Sequence, residues 1–110
     1  MVNVQELGLN SNQIESVEPL RHLKKLEVLH LDFNKIKDVE PLSGATNLHN
    51  LILSENNVSD ISMLTTLTAL QDLYIGGNCI VDTTQYAQLQ TAIPAMTLHG
   101  GDRQEPEKCQ

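Results

Sequence analysis

Apolar and polar positions along this chain return in the same order every 22 residues. Residues 4–25, 26–47, 48–69 and 70–91 align as four rows without a gap. The first column holds Val4, Leu26, Leu48 and Leu70, the fourth Leu7, Leu29, Leu51 and Leu73, and the sixth Leu9, Leu31, Leu53 and Ile75. The eleventh holds Ile14, Ile36, Val58 and Ile80, while the ninth is asparagine throughout: Asn12, Asn34, Asn56 and Asn78. Columns four to six alternate apolar and polar, which predicts a short strand with one face inward. Later apolar positions fall three apart (Val17, Leu20 and Leu23 in the first row), predicting a tight helical or extended turn on the opposite side. Glu18-Pro19 and Glu40-Pro41 put proline where that second segment starts, and its missing N–H does little harm there.

One row cannot bury its own leucines, but stacked rows bury them between neighbours. The asparagine column follows from the same stacking. A buried turn leaves backbone donors and acceptors without water, and an amide side chain satisfies both kinds. Asn12, Asn34, Asn56 and Asn78 therefore read as a structural ladder.

The run Leu26-x-x-Leu29-x-Leu31-x-x-Asn34-x-Ile36-x-x-Val39-x-x-Leu42 resembles the leucine-rich repeat family in its LxxLxLxxNxIxxIxxL form. The strict repeat length and the pairs Pro19-Leu20 and Pro41-Leu42 look like the subclass typified by the nuclear regulatory subunit of protein phosphatase 1. Bacterial internalins share that length. The resemblance covers residues 4–98. It implies an α/β solenoid, a horseshoe segment with short parallel strands on the concave face and short helices or 3-10 turns on the convex face.

Past residue 91 the register slips, and Ile93-x-x-Met96-x-Leu98 repeats the strand signature with Gly100-Gly101 in place of an asparagine. The stretch from Tyr86 through Ile93-Pro94 to Leu98-His99-Gly100 resembles the C-terminal cap of intracellular repeat proteins, with shorter spacing and His99 where that cap carries Asp. The expected organisation is one repeat domain over residues 1–101, its terminal cap strand within 92–101, and a polar disordered tail over 102–110. Met1 to Asn3 supply no cap, so further repeats or a partner are expected to cover the N-terminal edge. Cys79 and Cys109, one in a turn and one in the tail, are expected to be free thiols; a disulfide between them requires an oxidising compartment.

In a solenoid of this kind the outward strand residues line the concave face. Val28, His30, Phe33, Ile52 and Tyr74 fall at those outward positions, an apolar and aromatic group of the kind that marks a partner site. The same positions carry Glu6, Asp32, Glu55 and Asp72 and no Lys or Arg. The candidate partner-binding residues are therefore Val28, His30, Asp32, Phe33, Ile52, Asp72 and Tyr74, and the fitting partner is another protein that presents a basic amphipathic segment.

A formal net charge of -7 offers nothing to a polyanion, so nucleic acid is not expected as a partner. No run of 18 apolar residues occurs, and the N-terminus has neither a basic nor an apolar leader segment, so neither a membrane span nor a secretory signal is read here. No metal-ligand spacing, phosphate loop or nucleophile elbow appears, so no cofactor, metal or catalytic residue is expected. His22, His30, His49 and His99 fall at different repeat phases and are not expected to converge. Asn57-Val58-Ser59 is a glycosylation sequon, set aside without a leader. The resulting expectation is a non-catalytic, protein-binding scaffold or regulatory module, cytoplasmic or nuclear, with cytoskeletal and ciliary settings included. The alternatives are a fragment of an extracellular receptor or adhesin and a purely structural segment of a larger scaffold.

Overall fold

The computed structural model describes residues 4–110; Met1 to Asn3, and with them the expectation of an absent N-terminal cap, lie outside the described residues. Strands β1 (Glu6–Gly8), β2 (Val28–His30), β3 (Asn50–Ile52), β4 (Asp72–Tyr74) and β5 (Thr97–His99) form one sheet in chain order. All pairs are parallel and in register, with Leu7, Leu29, Leu51, Leu73 and Leu98 side by side. Opposite the sheet run 3-10 segments at Glu18–Leu20, Glu40–Gly44 and Ser62–Thr66, and then helix α1 (Thr84–Ala92). The core lies between the two layers. It contains Leu29, Leu51 and Leu73 from the strands and Leu42, Leu64 and Leu89 from the opposite side, none more than 1% exposed.

Each convex segment starts on a side chain in the thirteenth column. Asp38, Asp60 and Asp82 accept the backbone N–H two residues on at 2.9, 2.9 and 3.1 Å, and Ser16 Oγ accepts that of Glu18 at 3.2 Å. These contacts reverse the chain locally and hand it to the 3-10 turn. The last row forms α1 instead of a 3-10 turn. It has more chain: β4 pairs with β5 across 25 positions (Asp72 to Thr97) rather than the 22 separating Asp72 from Asn50. Gln85 and Leu89 are buried on its inner face, and the helix stops before Pro94. Gln85 serves the convex side as the asparagines serve the other, accepting from Ile61 N–H at 2.7 Å and donating to Ser59 O at 3.1 Å.

The asparagine ladder is present and graded. Asn56 and Asn78 are fully buried and Asn34 nearly so. Each donates to the carbonyl three residues back and to the matching carbonyl of the preceding row, and accepts from a preceding-row amide (Asn78 from Val58 N–H at 3.0 Å). Asn12 is exposed and donates within its own coil, to Leu9 O and Asn10 O. Its coil is the loosest of the four, with Val4, Leu7, Leu9 and Ile14 only partly buried.

The tail departs from expectation. Residues 102–110 pack on the last coil, with a 3-10 turn at Pro106–Cys109 and a disulfide between Cys79 and Cys109. The two thiols expected to be free are thus paired, their Cα atoms 6.1 Å apart. The physical reason lies in Gln104. Its Oε1 accepts from Ile80 N–H at 3.1 Å, and its Nε2 donates to Ile75 O at 2.9 Å and Gly100 O at 3.0 Å. These are the bonds an asparagine of a following repeat would make, so the polar tail satisfies the open backbone of the last turn. Lys108 Nζ adds a bond to Gly77 O.

Candidate functional site: the concave face

Register fixes what the sheet presents. One outward column runs Glu6, Val28, Asn50, Asp72 and Thr97, and a second runs Gly8, His30, Ile52, Tyr74 and His99. Strand neighbours stand about 4.8 Å apart, so each column is a continuous stripe of side chains. His30, Ile52 and Tyr74, singled out from the sequence, are brought side by side and are half-buried, as are Val28, Asp32 and Asp72. Phe33 stands at the turn after β2, 57% exposed, with φ +59°. Ser11 and Glu55 share that left-handed conformation and Gly77 takes it without a Cβ, so the eighth column is where every coil bends away from the sheet. Neighbouring backbone holds each bend: Phe33 N–H donates to Ser54 O and Glu55 N–H to Gly76 O, at 2.9 and 2.8 Å.

The sequence reading missed two side chains on this face. His99 was placed out of phase with His30, yet the longer last row brings β5 back into register and sets both in the second column. The His99 ring stacks on Tyr74 with centroids 4.2 Å apart and planes 9° off parallel. Its Nε2 lies 2.9 Å from Asp72 Oδ1. That contact orients the ring, and the ring in turn holds Tyr74 upright. The other missed residue is Arg103. The concave face was read as free of Lys and Arg, but the folded tail carries Arg103 back to Glu55, with Nη1 to Oε2 at 2.9 Å. Counting strands would have found His99; Arg103 left no signal in the repeat pattern. At the other end, His30 Nε2 lies 3.8 Å from Glu6 Oε2, an electrostatic contact beyond hydrogen-bond length.

The convex side has an acidic and basic cluster of its own. Arg21 bonds Glu18 at 2.7 Å and Glu40 at 2.5 Å, tying the first two 3-10 segments together. Its guanidinium, by hydrogen bond first and charge second, holds both carboxyls below their ordinary range. Among the described residues no group of three or more His, Cys, Asp or Glu is placed to hold a metal ion, and no helix is long and apolar enough to cross a membrane.

Comparison with known proteins agrees with the repeat register. Residues 2–44 and 46–88 each match the family described as leucine-rich repeats in two copies. No curated protein matches the chain. Among solved structures, internalin C2 of Listeria monocytogenes superposes with a TM-score of 0.78 at 38% identity, over 86% of this chain and 40% of that one. The internalin InlF of the same organism gives 0.78 at 33% identity, over 87% of this chain and 27% of that one. The ectodomain of the receptor kinase SOBIR1 from Arabidopsis thaliana shares the fold, with a TM-score of 0.66 at 23% identity over 92% and 59% of the two chains. This chain therefore spans well under half the length of the two internalins. With five in-register parallel strands, an asparagine ladder and both family matches in the same 22-residue phase, the chain belongs to the leucine-rich repeat family, whose domains serve generally as protein-interaction modules.

Proposed function

We propose that this chain is a non-catalytic binding module that takes a basic, amphipathic segment of another protein on its concave face. The observation that carries this is the stripe His30–Ile52–Tyr74, apolar and aromatic at solvent-facing positions, set among Glu6, Asp32, Glu55 and Asp72. Tyr74 is the anchor: stacking on His99 fixes its ring before a partner arrives, so little rotamer entropy is lost on binding. The acids steer a cationic segment in and set the salt dependence of its arrival.

We place the module in an oxidising setting, as part of a surface or secreted repeat protein, rather than in the cytoplasm or nucleus. Free thiols supported the intracellular expectation, and the Cys79–Cys109 disulfide withdraws that support. An oxidising setting also revives the sequon at Asn57, which is partly exposed.

The test is fluorescence anisotropy with a synthetic leucine–lysine amphipathic peptide, using a leucine–glutamate peptide of the same pattern as control. Tyr74→Ala should weaken the basic peptide at least about fivefold, a loss of about 1 kcal/mol, without unfolding the domain. Asp72→Lys should slow association most at low salt. Lys37→Ala, on the convex side, should change little. Should Lys37→Ala abolish binding while Tyr74→Ala leaves it intact, the concave assignment fails.

A further inference from the structure

Row four interrupts the concave face with two residues that have no side chain. Gly76 stands where Asp32 and Ser54 stand in the preceding rows, and Gly77 where Phe33 and Glu55 stand. The space they leave is filled from elsewhere. A Cβ on Gly76 would lie 2.5 Å from Arg103 Nη2 and 3.0 Å from its Cζ, and a Cβ on Gly77 would strike the Glu55 carboxylate. The Arg103 guanidinium thus lies against Gly76, beside the Gly77 position that the Glu55 carboxylate fills, with Nη1 on Glu55 Oε2 at 2.9 Å. Its backbone is held from below, since Gly77 N–H donates to Arg103 O at 2.6 Å.

A backbone step without side chains beside one carboxylate leaves room for a planar, forked cation, which suits it better than a lysine ammonium acting as a point charge. The side chain above it is poorly anchored. Arg103 is 60% and Glu55 25% exposed, and an ion pair that open to water is held weakly. The backbone of the tail is bonded down, whereas the guanidinium is held by this exposed ion pair.

We propose that Glu55, Gly76 and Gly77 form an arginine-binding subsite of the concave face, filled in cis by Arg103 and yielded to an arginine side chain of a bound protein segment. This rests on the concave-face reading above for its partner, though not for its chemistry. A tethered Arg103 competes at an effective concentration in the millimolar range, so a free arginine is a poor competitor. A segment already seated on the His30–Ile52–Tyr74 stripe presents its arginine in the same intramolecular way, and the two then compete on equal terms.

The experiment uses the full chain with its disulfide intact, Arg103→Ala beside the parent, titrated with N-acetyl-arginine amide and followed by backbone amide NMR. The expected result is saturable shifts at Glu55, Gly76 and Gly77, with the variant binding about fivefold tighter than the parent, the upper range for an exposed ion pair. N-acetyl-lysine amide should bind the variant more weakly, and Glu55→Gln in the same background should abolish the shifts. Arg103→Gln is read the same way and guards against a tail loosened by alanine. Equal titrations for parent and variant, shifts centred elsewhere, or indifference to Glu55→Gln would overturn the subsite. Adding Tyr74→Ala should leave these shifts in place, so failure of the peptide assay above and failure here are separate results.

Discussion

Replacing Asn56 with alanine removes a side chain that is fully buried and whose amide links two coils. Its Nδ2 donates to Leu31 O at 2.9 Å in the preceding row and to Leu53 O at 3.0 Å in its own, while Oδ1 accepts from Ile36 N–H at 3.0 Å. Alanine leaves Ile36 N–H without a partner in a site closed to water, while Leu31 O keeps its bond from Asn34 Nδ2 and Leu53 O its bond from Asn78 Nδ2. One orphaned buried group costs about 1–3 kcal/mol, and the two carbonyls each lose one of their two side-chain bonds, so the expected loss is about 2–3 kcal/mol. Against a total of about 5–15 kcal/mol for a domain of this size, that is a large fraction. Asn12→Ala is the internal control. The same residue type in the same column is exposed there and donates to two carbonyls of its own coil, so its loss should stay below about 1 kcal/mol. Urea unfolding of the parent and both variants, followed by circular dichroism, separates the two. Equal losses for Asn12→Ala and Asn56→Ala, or an Asn56→Ala midpoint close to the parent's, would refute the claim that the ladder stabilises by satisfying buried backbone.

Two further outcomes follow from the C-terminal end. The disulfide closes a loop of sequence separation 30, so its reduction should lower stability by up to about 3–4 kcal/mol on the chain-entropy account; an unchanged urea midpoint in reductant would show that the cross-link adds nothing to the fold. Tyr86 donates its hydroxyl to Gly101 O at 2.7 Å, and burial first, then the charge of Asp102, pushes its phenol above the ordinary value of 10.0. The folded state therefore holds this proton more tightly than the unfolded one, so the stabilisation is complete below pH 10 and is lost as pH rises through the folded pKa. Unfolding midpoints from pH 8 to 11 should fall more steeply for the parent than for Tyr86→Phe, and parallel profiles would rule this linkage out.

What the sequence discloses here is whatever the repeat makes redundant. Leu29, Leu51 and Leu73 must meet because each row presents the same face to the next, and four copies of a column overrule any accident in one. The thirteenth column was legible in principle, as three aspartates two residues before each convex segment, although apolar periodicity alone does not draw the eye to it. Departures from the period are where reading by columns fails. Gln104 does an asparagine's work with one more methylene and from a shifted position, and a search for asparagine passes over it. Once Gln104 is seen to complete the ladder, the paired cysteines follow, because the same turn brings Cys109 to Cys79.

The concave face divides along the same line. Its inner positions, His30, Ile52 and Tyr74, are fixed by strand register, and register is what a period encodes. Its remaining side chains are not, because Arg103 belongs to the tail and His99 to a coil with a longer connection. Arg103 ends beside Glu55 and the His99 ring beside Asp72, while the His30 ring stands 3.8 Å from Glu6. Arg103 therefore offsets Glu55, so the carboxylates of this face are not equally available to a partner. In the binding mode proposed above, a basic segment would find the Tyr74–His99 platform beside Asp72 and, next to it, the Arg103-capped Glu55. In that mode the two side chains that break the repeat, His99 and Arg103, distinguish one end of the face from the other.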